Sequence, residues 1–149
     1  MIQIILCLAF FALPVFAAAN DELLPELVAL ERKVMDGFLK GDPGPQLAIA
    51  DAQITYVHDQ IGNRLEGLPA LQKVLDGYRG VPLFDSYEIL SPKVQSSGDV
   101  AVLSYQLAQN RGGSTKYWNG THVYVKKQEG WRVIHSHWSA AKERASPTK

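Results

Sequence analysis

Cysteine is nearly absent. Cys7 is the only one in 149 residues, and it lies in an apolar N-terminal run. Disulfides and cysteine-held metal are therefore excluded from the body of the chain. An excess of either charge is also missing: fifteen Lys and Arg balance fifteen Asp and Glu, and no basic run is longer than Lys126-Lys127. Nucleic acid and anionic membrane surfaces are accordingly not expected as partners. No internal repeat or low-complexity segment is visible, and no Asp lies inside the strand-like segments from Val100 onward.

What is present begins with Ile2 to Phe16, almost unbroken apolar sequence, followed by Ala17-Ala18-Ala19 and then Asp21 and Glu22. This reads as a secretory signal over residues 1–19, cleaved after Ala17 or Ala19. The run is shorter than the ~20 residues of a spanning helix, so a periplasmic or secreted chain without a stable membrane anchor is expected. The remaining roughly 130 residues suit one domain, placed at 20–142, with a disordered polar tail over 143–149.

Leu23, Leu27, Leu30, Val34 and Phe38 fall at helical spacing, so Asp21 to Lys40 is predicted as a long amphipathic helix, capped by Asn20 or Asp21 and stopped at Gly41. A short helix is predicted from Pro45 to Ala50. Gln53 to His58 reads as a strand, turned back at Gly62-Asn63 toward Arg64 and Leu65. A further helix carries Leu68, Leu71, Val74, Leu75 and Tyr78 on one side. Strands then follow: Leu83 to Gln95, interrupted by Pro92 and so placed at an edge or with a bulge; Val100 to Gln109; Thr115 to Lys127; and Trp131 to Trp138. The pattern predicts an α+β fold in which a long helix and two shorter ones pack on a strongly curved antiparallel sheet. Gly120 is the expected bending point, and such a cone encloses a cavity.

The last hairpin decides which side chains share a face. Gln128-Glu129-Gly130 reads as a three-residue loop pairing Lys127 with Trp131, which puts His122 opposite Ser136, Tyr124 opposite Ile134 and Gly120 opposite Trp138. A two- or four-residue loop would flip the parity and bring His122 onto the face of His135 and His137, a zinc-like arrangement; no metal and no cofactor is assigned. On the favoured register one face carries Gln106, Trp118, His122, Tyr124, Ser136 and Trp138, the composition of a small-molecule cavity. The opposite face carries Leu103, Tyr105, Val123, His135 and His137. Either it is a subunit interface or the two faces are reversed.

Three motifs, Gly62-Asn63-Arg64-Leu65-Glu66-Gly67-Leu68, Ile89-Leu90-Ser91-Pro92 and Gly130 to Ser139, resemble the association (hub) domain of calcium/calmodulin-dependent protein kinase and its stand-alone bacterial relatives. That domain belongs to the nuclear-transport-factor-2-like (NTF2-like) cone fold, which ketosteroid isomerase and polyketide-cyclase-like proteins share. The resemblance implies the fold and self-association as a homodimer or larger ring. It also implies a cavity whose arginine positions correspond to Gln106, His122 and Trp138 here, so the guanidinium forks for acidic ligands are replaced. The kinase context is not implied.

Two functions of different class follow. The first is an exported module that self-associates through its sheet and holds a small apolar or aromatic ligand near Tyr56, Gln106, Trp118, His122, Tyr124, Ser136 and Trp138. The second is an acid-base isomerase or cyclase with His122 as base and Tyr124 or Tyr56 as oxyanion donor. Asp59 reads as a turn residue or as a carboxylate at the cavity mouth.

Overall fold

The computed structural model describes residues 15–144, with side chains from Asn20 onward. The signal expected over 1–19 and the tail beyond Arg144 therefore lie largely outside the described residues. The first helix, α1, spans Val15–Leu39 and so starts before Asn20 and Asp21. The alanines ahead of those two residues are strong helix formers, and they outweigh the capping signal. Its far end is where glycine predicts it. Gly41 adopts φ 72, the N–H of Asp42 reaches the carbonyl of Gly37 (2.8 Å), and that of Gly41 reaches Phe38 (3.1 Å). This is the paired closure of a left-handed helix end. One stripe of α1, including Leu27, Val34, Met35 and Phe38, is buried.

After α2 (Gly44–Ile49) come β1 (Ala50–His58), β2 (Leu65–Glu66), α3 (Leu68–Leu75) with a 3-10 turn over Asp76–Tyr78, and then β3 (Ser86–Ser97), β4 (Val100–Arg111), β5 (Ser114–Lys127) and β6 (Gly130–Ala141). The six strands form one sheet in the order β2-β1-β6-β5-β4-β3. Every neighbouring pair is antiparallel except β1 with β6, which is parallel. β3 is an edge strand whose register shifts between Leu90 and Lys93, where Ser91 has φ 47 and Pro92 cannot donate to the ladder.

The β5–β6 hairpin differs from expectation in an instructive way. Its loop has two residues, because Lys127 pairs with Gly130 and Tyr124 with Val133. The extra residue is instead absorbed as a bulge at Ile134, after which Val123 meets His135, His122 meets Ser136 and Gly120 meets Trp138. Loop and bulge together restore the parity of a three-residue loop, so His122 lies across the sheet from the face of His135 and His137.

The β4–β5 hairpin corrects a second expectation. The two-residue turn Gly112-Gly113, with φ 56 and 80, pairs Arg111 with Ser114. That register brings Leu103 opposite His122, Tyr105 opposite Gly120 and Leu107 opposite Trp118. Leu103 and Tyr105 thus belong to the buried inner face, not the expected interface. Gln106 belongs to the outer face, not the cavity wall. Its Nε2 donates to the carbonyl of Glu143 at 3.0 Å. Arg144 pairs with Glu88 at 3.0 Å, so the first two residues of the expected disordered tail are held against the sheet.

Candidate functional site

Three regions of the sheet carry chemistry: a sealed polar cluster, an open pocket, and an outer face. The sealed cluster is centred on Glu31. It sits in the apolar stripe of α1 between Leu27 and Val34 and is 1% exposed. Tyr105 Oη donates to Glu31 Oε2 at 2.8 Å, and Tyr124 Oη donates to Oε1. His122, fully buried, stands with Nδ1 3.3 Å from the same Oε1. Its ring lies between those of Tyr105 (5.6 Å) and Tyr124 (6.5 Å) and edge-on to Trp138 (5.0 Å). Gly120 makes the packing possible, since a Cβ there would meet Trp138 Cζ3 at 3.0 Å and Tyr105 Cζ at 3.3 Å.

Burial dominates the electrostatics of this cluster. It pushes the Tyr105 and Tyr124 hydroxyls well above their ordinary value, and the Glu31 carboxylate beside them adds to the rise. Burial lowers His122, outweighing the opposing pull of Glu31. Two hydroxyl donors hold the Glu31 side chain, whereas neither ring nitrogen of the buried His122 has a hydrogen-bond partner among the described residues. The cluster is closed to ligand, because neither His122 nor Tyr124 lines the pocket.

The pocket, of about 310 Å³, opens at the end of the cone away from that cluster. Phe38, Leu75, Phe84, Leu107, Trp118 and Trp138 supply its apolar walls. β1 contributes Tyr56 and His58. The His58 ring lies 4.9 Å from Trp118 and stacks on Tyr56 at 6.3 Å. The backbone N–H of Gln60 donates to His58 Nδ1 at 3.1 Å. This leaves the proton of the neutral ring on Nε2. Burial lowers His58 against the pull of Asp59, which favours that neutral form. The rim comes from the β4–β5 hairpin tip, where Gln109, Arg111, Ser114 and Lys116 share the inner face.

The outer face is a half-exposed aliphatic strip. Val102 pairs with Val123, Val125 neighbours Arg132, and Ile134 bulges beside them; none of the four aliphatic residues is fully buried. Thr121 and His137 extend the strip as exposed polar residues, and His135 Nδ1 lies 2.7 Å from Thr55 Oγ1.

Of the residues singled out in the sequence, Tyr56, Trp118 and Trp138 line the pocket. His122, Tyr124 and Ser136 lie buried beneath it, Gln106 lies on the other side of the sheet, and Val123, His135 and His137 share the outer face. Asp59 is a tether: its Oδ2 accepts the N–H of Ala140 at 2.6 Å, joining the ends of β1 and β6. Sequence reasoning passed over Glu31, Gln46, His58, Arg111 and Lys116. Glu31 did leave a signal, a lone carboxylate at helical spacing from Leu27 and Val34. The other four are brought together only by the closing of the cone. Among the described residues no three His, Cys, Asp or Glu side chains converge as a metal site.

Residues 24–142 match the family model described as the calcium/calmodulin dependent protein kinase II association domain. Among solved structures, the chain is similar to a candidate ketosteroid isomerase from Parabacteroides distasonis (26% identity, 80% of this chain and 89% of that one covered, TM-score 0.72). It is also similar to the association domain of C. elegans CaMKII (23%, 81% and 98%, TM-score 0.67) and to the CaMKII hub of S. rosetta (20%, 79% and 96%, TM-score 0.65). Among curated proteins, none matches the chain in sequence.

Proposed function

The chain belongs to the calcium/calmodulin dependent protein kinase II association domain family; from that membership we propose that it is an association module, and from the apolar run Ile2 to Phe16 followed by Ala17-Ala18-Ala19 that it is exported. Two copies pair sheet to sheet through the outer face, and each cone holds a small ligand with an apolar or aromatic body. The observation that carries the association is the half-exposed strip of Val102, Val123, Val125 and Ile134. Aliphatic side chains in register across three strands gain roughly 25 cal/mol for each Å² of apolar surface removed from water, and a second copy supplies a matching surface by symmetry.

Native mass spectrometry of the mature chain tests this reading. A dimer or larger ring that falls to monomers in Val123→Glu supports it, since a carboxylate buried without a partner opposes association. A wild-type monomer at micromolar concentration overturns it. Export is tested by N-terminal sequencing of the protein recovered outside the cytoplasm, with cleavage after Ala17 or Ala19 expected. Both positions fall in the first turns of α1.

The acid-base reading centred on His122 and Tyr124 has less support. A general base must come within hydrogen-bond reach of the proton it removes, and both residues are walled off from the pocket by Trp138, Tyr105 and their own partners.

A further inference from the structure

Resting on the reading of the outer face as the surface through which two copies pair, we propose a divalent transition-metal site between the copies, to which each contributes the imidazoles of His135 and His137. The two residues are the outer members of the sequence His-Ser-His on β6, and alternation along a strand turns both to one side. Their rings are 6.5 Å apart between centroids. His135 pairs with Val123 and His137 with Thr121, so the pair borders the aliphatic strip directly. A two-fold axis on this face repeats the pair and brings four imidazoles together.

The local chemistry favours a metal there. His135 Nδ1 lies 2.7 Å from Thr55 Oγ1 on the neighbouring strand. A hydroxyl can accept as well as donate, so a metal on Nε2 selects the tautomer in which Nδ1–H donates to Thr55. Metal-bound histidines are oriented in this way, with the second ring nitrogen tied to an oxygen of the protein. Burial lowers His135, and His137 and Arg64 add to the fall, which keeps the ring in the neutral form that a metal needs. His137 is exposed, so its ring can rotate toward its neighbour. Tetrahedral ligation with each nitrogen at about 2.0–2.1 Å brings the centroids to about 5 Å, a small closure from where they stand. Among the described residues no third His, Cys, Asp or Glu of the same chain joins the pair, so one copy supplies half a site and two copies supply a whole one. Four imidazoles gathered where two surfaces close would lose water from their lone pairs, and a shared cation restores a partner to each. An all-nitrogen set suits Zn2+, Ni2+ or Cu2+ and is unsuited to Mg2+ or Ca2+, which take oxygen.

The test uses the untagged mature chain, stripped with EDTA and returned to chelator-free buffer. Zn2+ is titrated by calorimetry, and native mass spectrometry counts metal and subunits together. We expect one Zn2+ per two chains with Kd below about 10 μM, and Co2+ in its place should show the visible absorption of tetrahedral coordination. His135→Ala and His137→Ala should each weaken binding by about tenfold or more, and Thr55→Val by about tenfold, with the subunit count of the stripped protein unchanged. If the dimer takes up no Zn2+, takes one per chain, or binds it as tightly in the double variant His135→Ala, His137→Ala, the metal site is overturned and the association reading stands. Protein that stays monomeric with and without Zn2+ overturns both.

Discussion

Two histidines on the inner face of one sheet have opposite surroundings. His122 is fully buried, packed between two tyrosines and a tryptophan, and 3.3 Å from a carboxylate. His58 lies on the wall of an open pocket, and one ring nitrogen is fixed by a backbone N–H. Burial lowers both. The comparison teaches that a shifted histidine marks a strong environment and not, by itself, a reactive site. Access separates the two: the polar cluster of His122 ties helix α1 to the sheet, and His58 is open to whatever enters the cone.

The largest effects should come from breaking the sealed cluster. Glu31→Ala leaves the Tyr105 and Tyr124 hydroxyls buried without an acceptor beside a new cavity, and urea unfolding should show a loss of about 3–5 kcal/mol. Glu31→Gln keeps an acceptor for one hydroxyl and should cost less than half as much. Placing a charge on each face separates folding from assembly. Tyr105→Glu on the inner face should yield aggregated or unfolded protein, while Val123→Glu should give a monomer of nearly unchanged circular dichroism. If Tyr105→Glu folds and only dissociates, the inner and outer faces of β4 are exchanged.

A smaller effect is the response to acid. The folded-state value of His122 lies below its unfolded value of about 6.5, so between the two the unfolded chain binds the extra proton. Stability should fall as pH drops below about 6.5, by no more than about 1.4 kcal/mol per pH unit for each such group. His58 and His135 are lowered too and act in the same direction. Replacing His122 with Phe should therefore reduce the slope of urea midpoint against pH without abolishing it. An unchanged slope would mean that folding does not lower the proton affinity of His122, and a steeper one that folding raises it. At the alkaline end, Tyr105 and Tyr124 keep their protons above pH 10 while the unfolded chain loses its own, so stability should decline there as well.

The smallest effect on folding is expected at the pocket. His58→Ala should change stability by less than about 1 kcal/mol, since the ring is half-exposed and bonded only to a neighbouring turn. It should still weaken binding of a small aromatic ligand measurably, since the ring lines the pocket beside Trp118. His122→Ala should do the reverse, costing about 3 kcal/mol with little effect on the ligand. Ligand titration and unfolding experiments on both variants sharpen the contrast between the two histidines.

Much of the architecture was legible before any coordinates. Gly41 ends α1, Gly62-Asn63 turns β1 toward β2, Pro92 marks a bulge in an edge strand, and His122 faces Ser136, all as the local pattern predicts. The last of these was reached through a three-residue loop, and the molecule reaches it through a two-residue loop and a bulge. Gln106, Leu103 and Tyr105 lie on the opposite sides from those expected because strands ending at Gln109 and starting at Thr115 imply an odd-numbered loop, whereas the turn is the two residues Gly112-Gly113 and pairs Arg111 with Ser114. Read by itself, that turn would have placed Leu103 and Tyr105 inside.

The sequence by itself determined the order of elements, their ends and the two periods, because these depend on φ preference, missing donors and the spacing of apolar side chains within a few residues. Only the tertiary structure decided which polar groups meet. Glu31 finds Tyr105 and Tyr124 across 74 and 93 positions of chain, and Gln46 and His58 share a pocket with Arg111 and Lys116. Such meetings follow from hairpin register and from the way one helix fills a curved sheet. A one-residue slip in a strand reverses them all, and no local pattern records which slip the packed core accepts.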